Sequence, residues 1–195
     1  MEILHDLNLY ISKGQSLCLI GPNGAGKSTI LHSIYGFTNI FSGQIKFDGK
    51  DITNLTPSEK LKTVGIAYIL QDNSVFPDMT VEENLLMGGY IKEKTEESQK
   101  EAERIFEKYE RLRNRRNQKA KDLSGGERRL LEISRAPVMN PNVLLVDEPS
   151  IGLEPNYIDM VFELLRDLQQ HEKKTIILIE KNPNGKISSS REKNI

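Results

Sequence analysis

Only one cysteine, Cys18, stands in this chain of 195 residues. A single thiol excludes an internal disulfide and any cysteine-rich metal cluster. No apolar run approaches the roughly 18–20 residues needed to span a bilayer, and no segment repeats at a period of about 20–50 residues. The opening stretch MEILHDLNLYISKGQ lacks a basic segment followed by a long apolar one, so no secretory signal is expected. An excess of charge of either sign is missing too. Lys and Arg number 27 against 28 Asp and Glu, a formal net charge of −1, which argues against a nonspecific grip on nucleic acid or anionic lipid. What is present, 37% hydrophobic and 28% charged residues, suffices for a packed core and is too apolar for wholesale disorder. The length suits one domain with room for an inserted subdomain. A soluble, cytosolic domain is the expectation.

Short apolar runs bounded by turn residues predict strands over 3–11, 15–20, 64–70, 143–146 and 175–179. Segments 44–47 and 50–52 flank Asp48-Gly49, a tight hairpin pattern. Thr56-Pro57-Ser58-Glu59 and Thr80-Val81-Glu82-Glu83 each carry a capping box, the second opening a helix toward Gly88-Gly89. Residues 92–121 are charged and helical in pattern, with Ile105, Phe106, Tyr109 and Leu112 as an apolar stripe. In 155–170, Ile158, Val161, Leu164, Leu165 and Leu168 share one helix face. The stretch 182–195 is polar and aperiodic and is expected to fray. Strands alternating with helices indicate an α/β fold with a mainly parallel core sheet.

Gly21-Pro22-Asn23-Gly24-Ala25-Gly26-Lys27-Ser28 fits G-x-x-x-x-G-K-[ST] between a strand and a helix. Glycines let successive backbone N–H groups converge on an anion, and the helix start adds its positive end. Lys27 would reach the β- and γ-phosphates, the Ser28 hydroxyl would ligate Mg²⁺, and Thr29 would bond the α-phosphate. The bland alternative is a glycine-rich strand-to-helix turn with a solvent-facing lysine. A second acidic feature follows: the apolar run 143–146 ends in Asp147-Glu148. Paired carboxylates at the end of a buried strand call for a cation. Asp147 would hold Mg²⁺ and Glu148 would orient or deprotonate the attacking water; otherwise both are solvated strand-end acids.

Leu123-Ser124-Gly125-Gly126-Glu127 forms a capping box whose two glycines expose helix amides, another anion site or simply a helix cap. The order P-loop, Gln71, LSGGE, Asp147-Glu148 resembles the nucleotide-binding domain of ABC transporters. Ser150-Ile151-Gly152-Leu153-Glu154-Pro155 resembles that family's D-loop, with Glu154 where Asp is usual. Val75-Phe76-Pro77, Met79 to Leu85, Leu86-Met87-Gly88-Gly89-Tyr90, Arg115-Arg116-Asn117-Gln118 and Glu180-Lys181-Asn182 resemble the branched-chain amino acid importer subgroup.

The resemblance spans residues 1–182 and implies a P-loop NTPase shortened at both ends, with a small antiparallel β subdomain, a helical subdomain at 81–122 and a disordered tail at 183–195. It implies ATP and Mg²⁺ as cofactors. Catalytic roles fall to Glu148, Gln71 and Lys27. Nucleotide contacts fall to Gly21, Pro22, Asn23, Gly24, Ala25, Gly26, Lys27, Ser28, Thr29, Ser124, Gly125 and Gly126, and metal contacts to Ser28, Gln71 and Asp147. Partners would be a second ATP-binding subunit, head to tail in a homo- or heterodimer, and transmembrane permease subunits, with no nucleic acid. The implied location is cytoplasmic, peripheral on the inner face of the cell membrane. Two other readings remain: a truncated module with little ATPase activity, and a soluble non-transport ABC ATPase.

Several positions depart from the family pattern. The stacking aromatic of an earlier strand has no counterpart before Met1, and Tyr10 belongs to the following strand. Lys181 stands near the usual switch histidine, while His5, His32 and His171 read as structural or surface residues. Pro137 predicts a kink or an early helix end near Ala136. The basic cluster Arg111, Arg113, Arg115, Arg116, Lys119 and Lys121 reads as a solvated face.

Overall fold

The computed structural model describes residues 4–71, 74–91 and 95–180, and the backbone of 191–194. In chain order, β1 (Ser16–Ile20) leads through a short loop into α1 (Lys27–Tyr35), and a hairpin of β2 (Lys46–Phe47) and β3 (Lys50–Asp51) follows. Next, α2 (Pro57–Glu59) runs on into a π-helical stretch, Lys60–Val64, before β4 (Ile66–Ile69). The helices α3 (Val81–Met87), α4 (Thr95–Lys108) and α5 (Glu110–Asn114) precede a 3₁₀ turn and the long α6 (Gly125–Met139). The chain closes with β5 (Val143–Asp147), α7 (Pro155–Gln170), β6 (Thr175–Ile179) and β7 (Arg191–Asn194).

Five strands form one sheet in the order β4-β5-β6-β1-β7, every neighbouring pair parallel. β1, β4, β5 and β6 each bury both faces, so their apolar runs are continuous rather than alternating. Odd and even residues still go to different partners. Leu17, Leu19, Val143, Leu145, Ile177 and Ile179 pack with Ile30 and Leu31 of α1. Cys18, Leu144, Val146, Ile176 and Leu178 pack with α3, α4, α6 and α7 through Leu85, Phe106, Leu130 and Leu165. Each such fully buried side chain contributes about 1.5–3 kcal/mol.

Local signals read from the sequence act as expected at several element ends. Asp48 and Gly49, both at positive φ, turn β2 into β3. Thr56–Glu59 and Thr80–Glu83 both close as reciprocal capping boxes. The excursion from α3 to α5 returns to its origin: Val81 N–H bonds Gln118 C=O at 2.9 Å, and Ala120 N–H bonds Met79 C=O at 2.9 Å.

Three expectations need correction. Residues 4–11 form no strand; Leu4, Leu9 and Ile11 pack against the α1-side core without a ladder partner, so side-chain burial alone produced the apolar pattern. The tail is not wholly without regular structure, because Arg191–Asn194 pairs with β1; residues 181–190 and 195 lie outside the described residues. Finally, α6 does not stop near Ala136. It continues through Pro137 to Met139, and Asn140, left-handed at φ 55°, closes it by donating to Ala136 C=O. Ala136, Pro137 and Val138 are buried, and that packing sustains a last turn the proline weakens by about 3 kcal/mol.

Candidate functional site

The candidate residues gather at the carboxyl ends of the parallel strands, the usual ligand-binding edge of an open α/β sheet. β1 ends at Ile20 and the loop 21–26 turns directly into α1. Gly26 caps that helix at φ 87°, a left-handed conformation costly for other residues. The first-turn amides of Lys27, Ser28 and Thr29 have no carbonyl of their own helix to bind, which leaves them for an anion. Lys27 is buried and reaches back over the loop, donating to Gly21 C=O at 2.8 Å and Pro22 C=O at 2.7 Å. Pro22, Asn23 and Gly24 are exposed. Together these groups make an exposed loop with converging amides and a lysine ammonium held against its carbonyls.

Asp147 closes β5 on the α1 side of the sheet, by the same alternation that points Leu145 there. Its Oδ2 accepts from the Tyr68 hydroxyl at 3.1 Å. Its Oδ1 is buried without a hydrogen-bond partner. Such a carboxylate oxygen carries a full desolvation penalty until a cation or donor meets it. The Ser28 hydroxyl and a carboxylate are hard oxygen donors, which suits Mg²⁺. Among the described residues no group of three or more His, Cys, Asp or Glu forms a metal cage, so any ion here would be shared with a phosphate ligand, as Mg²⁺ commonly is.

Glu148 is buried and holds φ 44°, with its N–H donating to Ile179 C=O at 3.1 Å. A non-glycine residue in that region stores strain of about 1–3 kcal/mol and persists only where its surroundings over-determine it. Across the sheet, Ile69 pairs with Val146; continuing that register sets Gln71, half-buried just past β4, level with Glu148. Ser150 donates to Glu180 at the end of β6, 2.9 Å away.

The LSGGE segment caps α6 as its pattern requires. Ser124 accepts from Glu127 N–H, and the Glu127 carboxylate accepts from Ser124 N–H at 2.9 Å. Burial alone would raise the Glu127 carboxyl, but the Ser124 bonds and the Arg115 guanidinium outweigh it and hold it below the usual range. Ser124 and Gly125 face solvent while Leu123 is buried beneath them. Gly126 has a packing reason: a Cβ there would fall 2.3 Å from the Tyr157 ring.

Arg113 pairs with Glu110, Arg115 with Glu127, Arg116 with Glu82 and Glu103, and Lys121 with Asp78, while Arg111 bonds the Tyr157 hydroxyl and Lys119 is exposed, so four of the six basic residues are ion-paired on the surface. His32 packs edge-on against Phe37 and Tyr68, His171 sits exposed near Asp167, and His5 is exposed. Tyr10 is 83% exposed. Lys181 and Asn182 lie outside the described residues. The sequence reading missed Tyr68, Arg129 and Glu132. The signal for the last two was present: charges three apart on a face of α6 that its neighbours Leu130, Ile133 and Ala136 mark as buried.

A lysine-bearing glycine loop between strand and helix, with a buried acidic strand end beyond the neighbouring strand, defines a P-loop nucleotide-binding protein. Residues 4–151 match the ABC transporter family, and the chain belongs to it. It is 40% identical over 184 residues to the high-affinity branched-chain amino acid transport ATP-binding protein BraG of Pseudomonas aeruginosa, covering 94% of this chain and 78% of that protein. It is also 40% identical to the probable branched-chain amino acid transport ATP-binding protein LivF of Archaeoglobus fulgidus, covering 93% and 76%. Among solved structures, a dimeric post-hydrolysis ATP-binding cassette bound to ADP and Pi superposes with a TM-score of 0.86 at 26% identity, covering 99% of this chain and 86% of that one.

Proposed function

We propose that this chain is the ATP-hydrolysing subunit of an ABC importer for branched-chain amino acids. The observation that carries the catalytic part is the buried, partnerless Oδ1 of Asp147 beside the strained Glu148. Lys27 and the amides of Gly24 and of residues 26–29 bind and orient the phosphates, while Ala25 N–H closes the loop on Pro22 C=O. Ser28 and Asp147, with Gln71 beside them, would hold Mg²⁺, which when bound neutralises phosphate charge. Glu148 accepts the proton of the attacking water, and Gln71 orients that water. The exposed Ser124 side chain and Gly125 amide, with Gly126 behind them, complete the site of a second subunit placed head to tail, which accounts for the openness of the lysine-bearing loop. Identity with BraG and LivF supports the solute class and a membrane permease as partner. Among the described residues no helix is long and apolar enough to cross a membrane, as suits a peripheral subunit on the cytoplasmic face.

Glu148→Gln keeps the shape of the side chain and removes the proton acceptor. It is expected to lower ATP hydrolysis by roughly 100-fold or more while leaving ATP affinity within a few-fold. A variant hydrolysing at the parent rate would remove Glu148 from the role of base. Separately, Lys27→Ala in the source cell is expected to abolish uptake of radiolabelled leucine, isoleucine and valine. Unchanged uptake would sink the solute assignment and leave the ATPase reading standing.

A further inference from the structure

The buried charge pair in α6 has no part in the roles above. Arg129 and Glu132 are 5% and 4% exposed, and Nη1 meets Oε2 at 2.9 Å. Taking such a pair out of water costs several kcal/mol per ion, returned only if the remaining donors and acceptors are also placed. Here they are placed, and on particular atoms. Arg129 donates through Nη1 to Leu70 C=O at 2.7 Å, through Nε to Pro149 C=O at 3.3 Å, and through Nη2 to Asp147 C=O at 3.1 Å and Glu148 C=O at 3.4 Å. The other carboxylate oxygen of Glu132 accepts from Ser74 N–H at 3.0 Å. Six residues along α6 from Arg129, Arg135 donates to Ser74 C=O at 2.5 Å.

One face of α6 therefore grips the chain on both sides of Gln71 and at three successive residues where β5 ends. Those residues include Glu148, whose left-handed backbone needs outside support. Its N–H is held by Ile179 C=O, and its carbonyl accepts from both Ile151 N–H at 3.3 Å and Arg129 at 3.4 Å. The acceptors lie in different directions, and only the planar, forked guanidinium reaches them together; a lysine head has no such fork.

We propose that Arg129 and Glu132 are positioning residues that lock Gln71 and Glu148 to the helix whose first turn is the LSGGE segment. The clamp thereby fixes the water-orienting glutamine and the catalytic base relative to that first turn and to the end of β5. This rests on the roles given to Gln71 and Glu148 above.

The test uses the full chain with Arg129→Met/Glu132→Met, which removes both charges at similar volume and leaves no lone buried ion. This double variant is expected to fold and to bind ATP within about twofold of the parent, with KM unchanged. Its kcat is expected to fall roughly 10- to 100-fold, the loss usual when outer partners of catalytic groups are removed. In nucleotide-free protein, amide exchange at Ser74 and Glu148 is expected to quicken by about tenfold or more. Arg129→Lys is expected to recover only part of kcat; it also carries the test if the double variant does not fold. Parent-like kcat in either variant, or unchanged exchange at both amides, would overturn the proposal. The exchange measurement needs no hydrolysis, so it decides the clamp even if Glu148→Gln shows that the base lies elsewhere.

Discussion

The Tyr68 hydroxyl occupies one oxygen of Asp147 and leaves the other for the proposed Mg²⁺. Tyr68 sits on β4 and reaches across to β5, its ring held edge-on by His32 and Tyr35. Burial, and then the Asp147 carboxylate, push its phenol far above the ordinary tyrosine range, so it stays a donor at every working pH. Tyr68→Phe keeps the ring and removes one hydrogen bond. The Mg²⁺ concentration for half-maximal activity is expected to rise about 5- to 10-fold, equivalent to about 1–1.5 kcal/mol. ATP binding measured in EDTA is expected not to change. Superimposable Mg²⁺ titrations would reduce Tyr68 to a packing role. Nothing in the sequence marks this tyrosine, because its partner is set by how β4 and β5 align. Lys27 and Asp147 were legible because strand, loop and helix lie consecutively around each of them.

Among the elements, α6 joins the most parts of the site. Its first turn carries LSGGE, its second carries Arg129 and Glu132, and its underside packs on the core sheet. The two glycines of the first turn are not equivalent. A Cβ on Gly125 meets nothing within 4 Å, whereas one on Gly126 meets the Tyr157 ring. Gly126→Ala is expected to cost about 1–3 kcal/mol by overpacking, and Gly125→Ala to stay within about 0.5 kcal/mol of the parent, both by urea denaturation. Equal stabilities would mean that α7 gives way to the added methyl. The helix start was readable from Ser124 and Glu127, since a capping box is local chemistry. Its end was not, because the turn after Pro137 depends on burial contributed by distant segments. The same limit explains residues 4–11: alternation announced a buried face, and only a neighbouring strand could have made it a ladder.

Over the whole molecule, acid should loosen the helical face first. Hydrogen bonds from Arg116 and Lys121 hold Glu82 and Asp78 below the usual carboxylate range, and Glu127 is lowered as well. Folded values below unfolded ones mean that stability from these groups is fully present above about pH 4.5 and is lost as pH falls through the folded values. The urea midpoint is expected to fall modestly there, since exposed pairs contribute little, and Glu127→Gln to flatten part of that slope from a lower plateau; an unchanged slope would remove Glu127 from the account. The position of β6 has one more consequence. It separates β1 from β5, and adjacent strands stand about 4.8 Å apart. The lysine loop and the acidic strand end are thus held roughly 10 Å from one another by two rows of backbone hydrogen bonds. A sheet does not stretch, so that gap is a built-in gauge: whatever distinguishes a triphosphate from its shorter product must move around this spacing rather than alter it.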